Sequence, residues 1–326
     1  MPDGKGFELA SYGQSIWLDY ISRSLIKSGK LSELIRSGLR GMTSNPTIFE
    51  KAVKGSSDYD EEIARLASTG RSTFEIYDEI TVRDIQDAAD IFKPIYEETK
   101  KQDGYVSLEV DPLLANDTAE TIKEAKRLHG KVNRPNVMFK IPSTEQGFSA
   151  IEELVAAGMN INITLIFSLE QYNKTALSYL RGIERFINAG GTPDDIHSVA
   201  SVFVSRIDTL IDKLLDENIS GETDSAKKEH LKSLKGKAAV ANSALIYDKY
   251  REIFSSPEFT RFAGKGAKIE RVLWGSTSAK NPEYKDIKYV SELIGKDTVN
   301  TMPQGTFEAF LDHGRAEEAL PADLDR

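Results

Sequence analysis

The chain has 326 residues, a formal net charge of −9, 40% hydrophobic and 29% charged residues, which is the composition of a globular protein rather than a disordered one. The acidic balance gives no bulk attraction for phosphate backbones, so no nucleic-acid partner is expected, although a local basic pocket could still take a small sugar phosphate. Having no cysteine excludes disulfides, thiolate nucleophiles and iron–sulfur clusters, and His129, His197, His230 and His313 show no paired spacing, so no metal site is expected.

The N-terminal MPDGKGFELASYGQSIW lacks a basic start followed by an apolar run of about 7–15 residues, so it does not read as a signal peptide. No run approaches about 18 apolar residues, which argues against a membrane span and makes the cytoplasm the expected location. The first β-rich runs are SIWLD (15–19) and LRGMTS (39–44). In TVRDIQDAADIFKPIYEETKK (81–101) and the residue before it, Ile80, Asp84, Ile85, Ala88, Ala89 and Phe92 recur at helical spacing. YVSLEV (105–110) and NVMFKI (136–141) follow as strands, then a helix carrying Ile151, Leu154 and Val155, then INITLIF (161–167). Ser168 opens a further helix with Glu170 in its first turn and Gly190–Gly191 at its end, matching start and stop chemistry. The last runs are HSVASVFV (197–204), RVLWGS (271–276) and TVNTMP (298–303).

These strands are near-continuous apolar runs, the mark of a parallel sheet buried on both faces. No fixed-period repeat is present, and eight β/α alternations favour an α/β fold of the (β/α)8 TIM-barrel type with additional helices. The segment around 209–268 is too long for one crossover. It reads as a helix, a polar surface excursion near 215–235 and a second helix, attached to a single domain spanning 1–326.

Barrels of this class build their sites at the C-terminal ends of the strands. The polar residues there are Asp19, Thr43 with Asn45, Glu109, Lys140, Asn162 with Thr164, Ser201, and Ser276 with Ser278. A strand-to-loop transition explains any one of them but poorly explains the whole set. Lys140 shares a strand face with Met138, while Val137, Phe139 and Ile141 point the other way. Taking an amine out of water disfavours its charged form, and a neutral amine is the nucleophile that forms a Schiff base with a carbonyl; the competing reading is a lysine that snorkels to solvent. Asp19 and Glu109 supply the acid–base groups such chemistry needs, with helix capping the alternative for Asp19. Glu109, between Leu108 and Val110, calls for a buried partner such as Lys140 or a hydroxyl. Asn45 before Pro46 also suits a turn start, and Asn162 with Thr164 suits a pocket wall. No GxxxxGK[ST] or GxGxxG occurs; GSTSAKN (275–281) with Ser278 and Lys280, joined by Arg206, is the stronger anion-binding candidate, and GKGAK (264–268) the weaker.

From about residue 13 to 312 the chain resembles transaldolases, Schiff-base enzymes acting on sugar phosphates. The resemblance rests on TSNPTIF (43–49), VSLEVDP (106–112), FKIPST (139–144), NINITLIFS (160–168) and VSRID (204–208), with GSTSAKNPEY and TVNTMP matching the longer bacterial branch. It implies a cofactor-free (β/α)8 barrel acting in the non-oxidative pentose phosphate pathway, as a cytoplasmic monomer or homodimer. It implies that Lys140 attacks the ketone of fructose 6-phosphate or sedoheptulose 7-phosphate and that Asp19 deprotonates the C4 hydroxyl. Glu109 and Thr164 then match positions that hold a water for proton relay. Asn45, Asn162 and Ser201 match contacts to the dihydroxyacetone unit, and Arg206, Ser278 and Lys280 match the phosphate site. The acceptor would be glyceraldehyde 3-phosphate or erythrose 4-phosphate. Two departures stand out: Lys280 replaces a common arginine, so its contact is a point charge rather than a fork, and some relatives are fused to a sugar-phosphate isomerase, whereas this chain ends in AEEALPADLDR. Fructose 6-phosphate aldolase-type cleavage, a domain of such a fusion, and a catalytically silent binding barrel are the alternatives.

Overall fold

Strand alternation sorts the apolar residues onto two faces, and both are covered in the computed structural model, which describes residues 5–321. The strands are β1 (Gln14–Asp19), β2 (Leu39–Thr43), β3 (Val106–Glu109), β4 (Val137–Pro142), β5 (Ile161–Ile166), β6 (Ser198–Phe203), β7 (Glu270–Gly275) and β8 (Thr298–Met302). Each predicted run is a strand, displaced by at most one residue at either end. All neighbours pair in parallel and β8 returns to β1, closing an eight-stranded barrel with helices outside, the (β/α)8 TIM barrel.

The inward positions stack in layers. At the floor, Arg271 pairs with Asp103 at 3.1 Å and donates to Ser15 Oγ at 2.6 Å, and Trp17 Nε1 donates to Asp103. A dry layer of Trp17, Met138, Val199, Leu273 and Val299 lies above. Trp17 is wide enough to need space across the barrel, which explains Gly41: a Cβ there would stand 2.5 Å from the indole Cε2. Two residues further along these strands the layer turns polar, with Asp19, Lys140, Ser201 and Thr301. Met138 and Lys140 therefore share the interior, while Val137, Phe139 and Ile141 join the outer core against the helices.

The helix predicted over 81–101 is part of a longer one, Thr73–Glu98, started by a reciprocal Ser72–Glu75 capping box. Ser168 caps Leu169–Asn188 by accepting from Gln171 N. The excursion near 215–235 differs from expectation. Helix Ser205–Gly221 is followed by a second helix, Ser225–Ser233, capped by Asp224, before Ala238–Phe254 and Pro257–Ala263. Ser225–Ser233 has no buried residue, so it carries no apolar stripe for a sequence pattern to reveal. No described helix is long and apolar enough to cross a membrane. Residues 1–4 of the N-terminal reading and 322–326 of the acidic tail lie outside the described residues.

Glu270 opens β7 on the outward face and is fully buried, with Ser198 Oγ donating to it at 3.0 Å. Burial pushes its carboxyl from an ordinary 4.5 up to about 8. Folding thus takes up a proton between those values, so this group's contribution to stability falls as pH rises from about 5 to about 8, by up to about 1.4 kcal/mol per unit. Glu270→Gln should flatten that slope and leave the variant more stable than its parent at pH 8. Denaturant unfolding at pH 5, 6.5 and 8 measures it; parallel pH profiles for the two proteins would refute the assignment.

Candidate active site

Lys140 projects from β4 into the polar layer and is 6% exposed. Parallel pairing sets Glu109 of β3 directly beside it in register, and Glu109 Oε2 lies 3.0 Å from Lys140 Nζ. Nζ also donates to the Ser44 carbonyl at 3.1 Å. The partner expected for Glu109 is therefore Lys140, and Lys140 does not snorkel away. A buried amine with one carboxylate in contact has both a proton acceptor and a fixed orientation. Nearby, burial first and the charges of Glu109 and Asp111 next push the Tyr77 phenol up to about 12.

Asp19 closes β1 opposite Thr43 of β2. Thr43 Oγ1 donates to Asp19 Oδ1 at 2.7 Å and is itself 2.7 Å from Thr301 Oγ1. Asp19 is no helix cap: the next helix, Arg23–Lys27, is capped by Ser22. A hydroxyl chain holds one carboxylate oxygen and leaves the other as a base for a ligand.

These residues line one cavity of about 510 Å³ at the C-terminal mouth of the barrel. Asp19, Glu109, Lys140 and Thr164 reach it from four strands. Thr164 Oγ1 is buried and has no hydrogen-bond partner among the described residues. Asn45 and Ser201 also line it. Asn45 Oδ1 accepts from Ile48 N at 3.0 Å and caps helix Pro46–Lys54, so its turn-forming role is real and its amide N–H groups are what it can offer a ligand. At the rim stand Arg206, Ser278 and Lys280. Arg206 lies over the Phe203 ring at 5.1 Å, and Lys280 Nζ donates to Ser278 Oγ at 2.7 Å. Two cations and a hydroxyl beyond the ends of β6 and β7 make the rim cationic, which is chemistry that suits an anion.

Asn162 sits deeper than the residues that line the cavity. It is fully buried and does not line the cavity; its amide donates to Ser107 Oγ at 3.0 Å and accepts from Ser201 Oγ at 2.6 Å. It stands level with Lys140 in register on the inward face of β5, held between Ser107 of β3 and Ser201 of β6. The sequence reading also missed Lys51, Phe203 and Thr301 as wall residues. Lys51 follows Asn45 by nearly two helical turns, a spacing that placed it within reach of the same mouth. A more open depression of about 660 Å³ lies against helix Ser205–Gly221 and shares Lys280, but contains none of the strand-end acid, amine and amide groups.

The model of the family described as Transaldolase/Fructose-6-phosphate aldolase matches residues 16–326. A protein of Trichodesmium erythraeum named Transaldolase is 46% identical over 319 residues, 98% of this chain and 84% of its own length. Transaldolase 2 of Nostoc punctiforme is 45% identical over 98% of this chain and 84% of its own. Transaldolase 1 of Streptomyces avermitilis is 48% identical over 94% of this chain and 79% of its own. With an amine, two carboxylates and a cationic rim at one barrel mouth, and relatives matched over nearly its whole length, the chain belongs to the transaldolase/fructose-6-phosphate aldolase family.

Proposed function

We propose that this chain is a transaldolase. It moves a dihydroxyacetone unit from sedoheptulose 7-phosphate or fructose 6-phosphate to glyceraldehyde 3-phosphate or erythrose 4-phosphate, in the cytoplasmic non-oxidative pentose phosphate pathway. The observation that carries this reading is the 3.0 Å contact between the buried Lys140 amine and Glu109, with Asp19 in the same cavity. The 209–268 helices belong to the same domain, since Ala244, Tyr247 and Phe262 join the core that backs the strands.

In the first step Lys140 Nζ gives a proton to Glu109 and adds to the C2 carbonyl of the ketose, and a second Nζ proton passes to the C2 alkoxide to make the carbinolamine hydroxyl. Glu109, through a water shared with Thr164, returns a proton to the departing C2 hydroxyl, which leaves as water and gives a protonated imine. Asp19 then takes the C4 hydroxyl proton, the C3–C4 bond breaks, and its electron pair moves into the imine to make an enamine. The aldose phosphate leaves from the Arg206, Ser278 and Lys280 rim. Asn45 and Ser201, the latter fixed by Asn162, hold the three-carbon unit until a second aldose phosphate takes its place. The acceptor carbonyl receives the enamine carbon, Asp19 returns its proton, and water releases the new ketose from Lys140.

Borohydride reduction with fructose 6-phosphate, followed by peptide mass mapping, should place a three-carbon adduct on Lys140. Added erythrose 4-phosphate should speed turnover of the donor. No adduct on Lys140 would end the Schiff-base reading. Free dihydroxyacetone formed at the same rate without acceptor would replace transfer by aldolase-type cleavage.

A further inference from the structure

Strand β5 departs from regular alternation just where it meets the cavity. Residues 162 and 164 face inward, so 166 should follow, yet Ile166 is buried in the outer core and Leu165 instead lines the cavity beside Thr164. The pairing with β6 slips by one residue between Ile163 and Ile166, as an inserted bulge requires. Leu165 carries the extra turn at φ +64°, a left-handed conformation that a leucine side chain disfavours. Its surroundings must hold it there.

Those surroundings are specific. Ser143, the residue after β4 in the FKIPST motif, donates from its backbone N–H to the Thr164 carbonyl at 2.8 Å and from its hydroxyl to the Leu165 carbonyl at 2.9 Å. Gln171 reinforces it from behind, its amide nitrogen lying 3.4 Å from both Ser143 oxygens and 3.5 Å from the Leu165 carbonyl. Gln171 Oε1 in turn accepts from Phe167 N at 3.0 Å, and its own N–H is bound by the Ser168 cap. Ser143 and Gln171 do not line the cavity. We propose that Ser143, backed by Gln171, is a positioning residue: by holding the Thr164 and Leu165 carbonyls it fixes a strained bulge that sets the place of Thr164 in the wall of the cavity shared with Lys140 and Glu109. This rests on the proton-relay role given to Thr164 above.

The test measures kcat and KM for transfer from fructose 6-phosphate to erythrose 4-phosphate, with folding followed by circular dichroism. Ser143→Ala should lower kcat by about 10- to 100-fold, the scale of a misplaced group, with KM within about twofold. Ser143→Thr keeps the hydroxyl and should recover most of the rate. In a Thr164→Ala background, Ser143→Ala should cost less than about twofold more, because the clamp has nothing left to position. Gln171→Glu keeps the acceptor for Phe167 and loses the donor, and should lower kcat in the same direction even if Ser143→Ala fails to fold. Parental kcat in the folded clamp variants, or the full Ser143→Ala loss persisting in the Thr164→Ala background, would overturn the proposal. A parent protein that forms no Lys140 adduct would overturn the Schiff-base reading itself, whatever the clamp variants do.

Discussion

Lys140→Met should abolish three-carbon transfer, lowering kcat by about 10⁴-fold or more, while leaving the barrel folded. The size of the loss follows from covalent chemistry: among the described residues no other lysine pairs with Glu109, while Lys51 and Lys280 belong to the cavity's wall and rim. Folding survives because methionine is close to lysine in length and unbranched, and Met138 already occupies the same face one layer below. The substitution gives up the Nζ contacts to Glu109 and to the Ser44 carbonyl. Leaving a carboxylate without its partner costs about 3–5 kcal/mol in a fully buried pair, and less is expected here because Glu109 is partly exposed. Stopped assays, borohydride labelling and thermal unfolding together check this. A three-carbon adduct persisting elsewhere on Lys140→Met would move the chemistry to another amine.

Much of that site is legible in the sequence, because a barrel interior obeys period-2 alternation and closes its polar layer at strand ends. Lys140 and Met138 on one face, and Asp19, Glu109 and Thr164 at strand ends, follow from the local pattern alone. What stayed hidden depends on register or on distant segments. Gly41 is explained only by Trp17 across a strand pair. The grip on Asn162 was hidden because Ser107 and Ser201 come from strands far apart in sequence. The bulge at Leu165 left no mark, since Ile-Thr-Leu-Ile reads as an uninterrupted strand and no glycine announces the left-handed turn. Helix Ser225–Ser233 was missed for the opposite reason: without an apolar stripe, a helix held by its cap and by pairs such as Lys232–Glu229 resembles a linker.

Asp19→Asn should separate the two halves of the reaction. Asparagine keeps the shape of the carboxylate and can still accept from Thr43, whose hydroxyl is 2.7 Å from Asp19 Oδ1 and belongs to a chain running on to Thr301. The amide cannot take the C4 proton, so C3–C4 cleavage should slow by about 10²- to 10⁴-fold. Schiff-base formation should continue near its parental rate, because the proposed mechanism passes the protons of that step between Lys140 and Glu109 without Asp19. Borohydride added after fructose 6-phosphate should therefore trap the intact six-carbon phosphate on Lys140 of the variant, where the parent yields the three-carbon unit. Mass mapping of the labelled peptide reads the difference directly. If the variant instead gave the three-carbon adduct at the parental rate, Asp19 would not be the base. If it gave no adduct at all, the two carboxylates would not be divided between imine formation and carbon–carbon cleavage.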